Sequence, residues 1–102
     1  MAKPKPTKKP KFRDELIYDT IMEMVNVDGE KTVRPEEIAM TLYKEDWQSL
    51  LKLIRMFARK LAHDGYVDII RKGEVVDPDD FRGVYRVKAG GNAVDYVPRM
   101  PE

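Results

Sequence analysis

Residues 47–72, WQSLLKLIRMFARKLAHDGYVDIIRK, decide the fold because the spacing of their apolar side chains changes part-way along. In the first two thirds the apolar residues recur three and four positions apart, which is typical of an amphipathic helix. Residues 66–72 instead alternate in the manner of a strand. Gly65 lies between the two patterns, where the C-terminus of a helix favours a residue with positive φ. We therefore predict a helix over residues 46–63 and a strand directly after it.

The predicted helix has two different faces. At about 100° per residue, its apolar side chains share one broad arc, made of Trp47, Leu50, Leu51, Ile54, Phe57, Ala58 and Leu61. The opposite arc is polar and mostly basic, made of Gln48, Lys52, Arg55, Arg59 and His63. We expect the first arc to join the core, with Trp47 as an anchor, and the second to face the solvent.

Two shorter helices precede this stretch. Residues 14–26 have apolar side chains at helical spacing and two acids in the first turn, where the helix dipole favours negative charge. Residues 35–43 begin with a proline, which is favoured at the first position of a helix. Between them, Asp28-Gly29 indicates a turn, and residues 31–33 are long enough only for a stub of strand.

A second strand is predicted at residues 84–88, where apolar and basic side chains alternate. We expect it to pair antiparallel with the first strand across the polar loop of residues 73–83. Residues 1–13, rich in Lys and Pro, are predicted to form a disordered basic tail, and residues 89–102 a flexible C-terminal tail. The folded domain is then residues 14–88.

The order of these elements is typical of a winged helix, which is an α+β fold. Three helices are followed by a two-stranded antiparallel hairpin. The second and third helices form the helix-turn-helix, and the hairpin forms the wing. An unrelated α+β domain, with its helices packed on a hairpin, has the same order and is the alternative.

Two groups of residues between positions 31 and 88 form a recognisable pattern. The helical group is Lys31-Thr32, Pro35, Glu37, Leu42 and Glu45-Asp46-Trp47. The hairpin group is Leu61, Gly65, Lys72-Gly73, Val76-Asp77-Pro78, Arg82-Gly83 and Arg86. In these residues the chain resembles the bacterial domain of unknown function 3253 family. The resemblance implies a winged-helix fold and implies no activity.

Length and composition exclude several classes of protein. The 102 residues suffice for one domain, and the absence of cysteine excludes disulfides and thiolate metal sites. That absence fits a reducing compartment, so we predict a cytoplasmic protein. No apolar run approaches the ~18 residues that a membrane span needs, and the N-terminus lacks the apolar segment of a signal peptide.

The formal net charge of +1 conceals an uneven distribution. Residues 1–13 hold six basic residues and no acid, whereas the rest of the chain holds 13 basic and 18 acidic residues. Within that remainder, residues 14–46 are acidic and residues 47–72 are basic. Such a dipolar domain argues against a uniformly basic nucleic-acid binder.

The basic arc of the third helix is the best candidate for a binding surface. In a helix-turn-helix the second helix enters the major groove, where arginine forks onto guanine. The candidate DNA contacts are Gln48, Lys52, Arg55, Arg59, Lys60, Arg71 and Lys72, with Lys8, Lys9 and Lys11 of the tail on phosphates. The alternative is a solvated helix face without a ligand.

The predicted wing is acidic, and its acids would repel phosphates. We interpret Asp77, Pro78, Arg82 and Gly83 as residues that hold the loop in shape, since turns with Asp and Pro usually have a conformational cause. An ion pair between Arg82 and Asp77 is one way in which the loop would neutralise its own charge.

Catalysis has no support in the sequence. The single histidine, His63, is accompanied by no cysteine and by no serine motif that it could activate as a general base. The carboxylates of the sequence are not spaced as metal ligands around it. We therefore predict no enzyme, cofactor, metal or small-molecule substrate. The primary hypothesis is a non-catalytic module that binds DNA through the third helix and the tail. The alternative is a module that binds a protein or a second copy of itself, and a small enzyme comes third.

Overall fold

The computed structural model describes residues 13–26 and 31–100 of the chain. Its helices are α1 (Asp14–Asn26), α2 (Pro35–Leu42) and α3 (Leu51–His63), with short 3₁₀ helices at Lys44–Leu50 and Ala93–Asp95. Its strands are β1 (Val67–Arg71), β2 (Glu74–Val76) and β3 (Arg86–Ala89). The predicted turn at Asp28-Gly29 and all of the predicted basic tail except Arg13 lie outside the described residues.

The first two helices begin and end close to the predicted positions. α1 covers the predicted residues and buries Ile17, Tyr18, Ile21, Met22 and Val25 on one face. α2 begins at Pro35 as predicted and ends one residue early, at Leu42. Its first turn is held by Glu37, whose Oε2 accepts hydrogen bonds from the amide and the Nε of Arg34, both at 3.2 Å.

The predicted third helix is split into two parts. The segment Lys44–Leu50 is a 3₁₀ helix interrupted at Asp46 (φ −149°, ψ 53°), and α3 starts only at Leu51. The Ser49 hydroxyl donates to the carbonyl of Asp46 at 2.9 Å. Short polar side chains of this kind compete with the helix for backbone groups, which explains why apolar spacing alone placed the start too early.

The end of α3 is the one that the sequence predicts. Gly65 has φ +79°, in the left-handed region that glycine adopts without a Cβ clash. The amide of Tyr66 donates to the carbonyl of Leu61, and the amide of Gly65 to that of Ala62, both at 3.0 Å. These two hydrogen bonds form a Schellman motif, which turns the chain directly into β1.

The sheet has three antiparallel strands in the order β2-β1-β3, one more than predicted. The pairing of β1 with β3 across the long loop is confirmed. β2 was not predicted, and it pairs with the other edge of β1 through a two-residue turn at Lys72 (φ +52°) and Gly73 (φ +82°). Positive φ at both positions is a type I′ turn, but a Lys-Gly pair lacks the Asn or Asp that usually announces it.

The stub of strand before α2 is confirmed as a single antiparallel bridge. Val33 exchanges hydrogen bonds of 2.7 and 2.8 Å with Val87 on the outer edge of β3. The chain is therefore an α+β domain in which three helices precede a small antiparallel sheet. This arrangement is compatible with a winged-helix-like fold.

The core lies between the three helices and the sheet. Phe57 of α3 stacks on Tyr18 of α1 with ring centroids 4.7 Å apart, and both rings are buried. Val67, Ile69 and Val87 close the core from the sheet side. Trp47, in the 3₁₀ segment that precedes α3, packs against the margin of this core and is only half-buried.

Residues 90–100, assigned to a flexible tail from the sequence, lie against the domain. The amide of Gly90 donates to the carbonyl of Tyr66 at 2.9 Å, and Ala93 is buried. Further along, Asp19 of α1 accepts hydrogen bonds from the Tyr96 hydroxyl and from the amide of Arg99. The mobility of residues 89–102 stays a prediction, but the position of residues 90–100 is given by these contacts.

Within the described part of the chain, no helix combines the length and the apolar character that crossing a membrane requires.

Candidate interaction surface on the third helix

The exposed side of α3 presents apolar and basic side chains side by side. One shallow groove is lined by Ser49, Leu50, Lys52, Leu53, Arg55, Met56 and Arg59. Leaving aside the buried Leu50 and Arg55, which is bound to a loop, we call the other five residues the α3 face. Met56 is 42% exposed, and Leu53 is half-buried. The sequence predicted a purely polar exposed arc, whereas the structure adds an apolar strip to it.

Three of the predicted DNA-binding residues are free at this surface. Gln48, Lys52 and Lys60 are exposed, and none of them forms an ion pair with another described residue. The Nζ of Lys60 lies 5.4 Å from the centroid of the Phe57 ring, a weak cation–π contact that leaves the ammonium in solvent. These three side chains are available to a partner.

Arg55 is partly buried and is bound to the loop between β2 and β3. One of its terminal nitrogens donates to the carbonyl of Phe81 at 2.6 Å. Its guanidinium carbon lies 4.1 Å from the centroid of Phe81 and 5.4 Å from that of Tyr85. A guanidinium stacked on one ring and bonded to a carbonyl beside it is not free to fork onto a base.

Arg59 and His63 share a carboxylate. The Oδ1 of Asp79, in the loop between β2 and β3, lies 2.9 Å from a terminal nitrogen of Arg59 and 2.8 Å from Nε2 of His63. These hydrogen bonds, that of Arg59 first, lower the pKa of the Asp79 carboxyl. The basic arc therefore carries a negative group near its C-terminal end.

The remaining predicted contacts lie elsewhere. Arg71 in β1 donates from Nε to the carbonyl of Val84 at 2.9 Å, and Lys72 stands in the β1–β2 turn. Lys8, Lys9 and Lys11 lie outside the described residues. The structure thus brings Lys52, Arg55 and Arg59 onto one helix but ties two of the three to the loop.

The loop between β2 and β3 has a shape set partly by the predicted residues. Asp77 accepts a hydrogen bond from the amide of Asp79 at 2.9 Å, which turns the chain back toward α3. Gly83 has φ +78°, and a Cβ there would lie 3.3 Å from the guanidinium of Arg71. The suggested ion pair of Arg82 with Asp77 is absent among the described residues, where Arg82 is exposed.

Phe81 was not singled out in the sequence, yet it attaches the loop to the domain. It is buried to 8% exposure and meets Tyr85 edge-on at 5.1 Å. The available signal is that Phe81 is the only aromatic residue between positions 73 and 83. An aromatic side chain in an otherwise polar loop indicates a contact with the core.

The hydroxyl of Tyr85, the last residue of the same loop, is buried. Among the described residues it is the one buried side-chain polar atom without a hydrogen-bond partner. Its burial raises the pKa of Tyr85 to about 12. The described residues contain no group of three or more His, Cys, Asp or Glu side chains placed to hold a metal ion.

These features define a small α+β domain whose third helix exposes apolar and basic side chains beside one another. A family model matches residues 14–90, and the chain belongs to that family, which is described as protein of unknown function (DUF3253). The match includes the stretch on which the sequence resemblance rests and adds α1. No curated protein matches the chain.

Proposed function

We propose that this chain is a non-catalytic interaction module that binds a protein partner through the α3 face. The observation that carries the proposal is that some side chains of α3 hold a loop of the same chain while others remain accessible. Arg55, one of the two arginines that would read DNA, donates to the Phe81 carbonyl and stacks on the Phe81 ring. Leu53 and Met56 remain accessible beside Lys52. Apolar side chains rimmed by charge are typical of protein interfaces.

Electrostatics also supports a protein over a duplex. Asp79 and the exposed Asp80 lie in the loop that packs on α3. In a complex with DNA these carboxylates would approach phosphates, and like charges at short range repel. A duplex carries negative charge all along its backbone, whereas a protein partner can place neutral or basic side chains opposite these carboxylates.

DNA remains the second candidate because Lys52 and Lys60 are exposed and form no ion pair with another described residue. Two lysines contribute about −1.8 to the slope of log affinity against log salt. That slope is small for a DNA-binding domain, and the basic tail would have to supply the rest.

Photo-crosslinking distinguishes the two candidates. A photoreactive phenylalanine analogue replaces Met56 in the full chain, and in the control it replaces Val94, which is 90% exposed and does not line the groove on α3. We expect irradiated cells to yield protease-sensitive adducts from position 56 and not from position 94. Adducts from position 56 that are removed by nuclease would contradict the proposal and favour DNA. Equal labelling from both positions would show that α3 is not the binding surface.

A further inference from the structure

The α3 side of the molecule already binds a carboxylate, and that carboxylate belongs to the chain itself. Arg59 and His63 lie one helical turn apart, and both converge on a single oxygen, Oδ1 of Asp79, at 2.9 and 2.8 Å. All three side chains are about half exposed, between 46% and 50%. The contact is therefore formed in reach of solvent and can be exchanged for another anion.

The loop brings Asp79 to this position by local hydrogen bonding. The Asp77 side chain accepts from the amide of Asp79, and the Asp77 carbonyl accepts from the amide of Asp80 at 3.0 Å. Phe81, held by Arg55, fixes the next part of the loop. Asp80 is exposed, and its side chain has no hydrogen bond or ion pair with another described residue. Only one of these neighbouring acids contacts α3.

We infer that Arg59 and His63 form a carboxylate-binding site that Asp79 occupies, and that an acidic segment of the protein partner competes with Asp79 for it. This inference rests on the proposed function and names the chemistry of the partner. A polypeptide carboxylate is favoured over a phosphate because the occupant in place is a carboxylate. Met56 and Arg59 line the same groove, so an acidic segment with apolar side chains fits both parts of the surface.

The test compares Asp79→Asn with Asp80→Asn in the full chain. Each variant removes one negative charge from the same loop, but only the first removes the charge that contacts Arg59 and His63. The probe is a fluorescent polyglutamate peptide, titrated by anisotropy at low salt and neutral pH. We expect Asp79→Asn to bind about three- to fivefold more tightly than the wild type, the size of an exposed ion pair. Asp80→Asn should match the wild type within about twofold, since it changes only the screened field of the loop.

A second substitution locates the effect. Arg59→Gln combined with Asp79→Asn should bind polyglutamate no better than the wild type, because the site then lacks its guanidinium. Backbone NMR spectra of all variants establish that each is folded. A fluorescent DNA duplex is titrated in parallel, and it should gain less from Asp79→Asn than polyglutamate does.

The outcomes separate this inference from the proposed function. Equal gains for Asp79→Asn and Asp80→Asn would overturn the inference, since the loop would then act by net charge alone. A gain for DNA as large as that for polyglutamate would overturn the assignment to a polypeptide. Absence of polyglutamate binding in every variant would overturn the inference while protein adducts from position 56 uphold the proposed function.

Discussion

At the scale of single residues, the buried hydroxyl of Tyr85 is the least satisfied group in the described part of the chain. Its ring contributes to the core against Phe81 and Arg55, but its oxygen has no partner. A buried hydroxyl that loses water without gaining a hydrogen bond costs about 1–3 kcal/mol. The aromatic ring therefore explains the residue's place in the fold, and the hydroxyl does not.

Replacing Tyr85 by Phe should leave the free energy of unfolding unchanged or raise it by about 1 kcal/mol, since the uncompensated desolvation disappears. The matched control is Tyr96→Phe, which removes a hydroxyl that does donate, to Asp19 at 2.5 Å. The control should lose about 1 kcal/mol. Urea denaturation at neutral pH measures both. A clear loss of stability in Tyr85→Phe would mean that the hydroxyl has a partner in solution.

Alkaline pH gives the same residue a second signature. The folded pKa of Tyr85 is about 12, above the unfolded value of about 10. The folded state therefore favours the neutral phenol over the ionised one. The part of the free energy of unfolding that depends on the phenol being neutral is complete below pH ~10 and is lost as the pH rises through ~12. In Tyr85→Phe the stability should fall less over this range than in the wild type.

At the scale of elements, the loop between β2 and β3 is attached to α3 rather than projecting from the sheet. The chain leaves β2 on one edge of β1 and must reach β3 on the other edge. Phe81 and Tyr85 are buried on the way, and Arg55 of α3 is the side chain that meets both rings. α3 therefore has two roles, since its exposed strip remains open while Arg55 holds the loop.

Arg55→Ala should lower the free energy of unfolding by about 1–2 kcal/mol, because it removes a cation–π contact and leaves the Phe81 carbonyl without its donor. Lys52→Ala, one turn earlier on the same helix, is the control and should change stability by less than about 0.5 kcal/mol. Thermal denaturation followed by circular dichroism compares them. Similar effects of the two substitutions would show that the loop is not anchored by Arg55.

At the scale of the whole molecule, the two ends of the described chain meet on α1. One carboxylate, Asp19, accepts hydrogen bonds from the amides of Arg99 and Met100, both at 2.8 Å, as well as from the Tyr96 hydroxyl. The Arg99 guanidinium lies 4.0 Å from the centroid of Tyr18. One carboxylate of α1 thus accepts all of these hydrogen bonds from a segment about 80 residues away in sequence.

Asp19→Asn should lower the free energy of unfolding by about 1–2 kcal/mol, a figure reduced for the partial exposure of the site. Burial raises the pKa of Asp19, but the hydrogen bonds from Tyr96, Arg99 and Met100 outweigh it and leave the pKa lowered. The contribution is therefore complete above the unfolded pKa of 3.8 and is lost as the pH falls through the folded value.

The control for this prediction is Glu23→Gln, which removes one charge from an exposed position of the same helix. It should change stability by less than about 0.5 kcal/mol. Amide hydrogen exchange of residues 96–100 reports the attachment directly, and it should accelerate in Asp19→Asn only. Unchanged exchange in that variant would contradict the role given to this carboxylate.

The sequence by itself predicted the β1–β3 pairing, the Val33 stub and the family, and it determined α1, the start of α2 and the end of α3. Each depends on local signals: apolar periodicity for α1, Pro35 at the start of α2, and Gly65 at the end of α3. Such signals are set by backbone sterics and by which face must leave water, so neighbours in sequence suffice to reveal them. The basic character of α3 is equally visible in the printed residues.

Only the tertiary structure decided which basic side chains of that face are already bound to other parts of the chain. Asp79 reaches Arg59 across 20 residues of sequence, and Asp19 reaches Arg99 across 80. Hydrogen bonds between distant segments depend on chain geometry rather than on local composition, and no spacing rule predicts them. The strand β2 was not predicted for a related reason. Its turn depends on positive φ at Lys72, which is uncommon for a lysine and is stabilised here by the strand pairing on both sides of the turn.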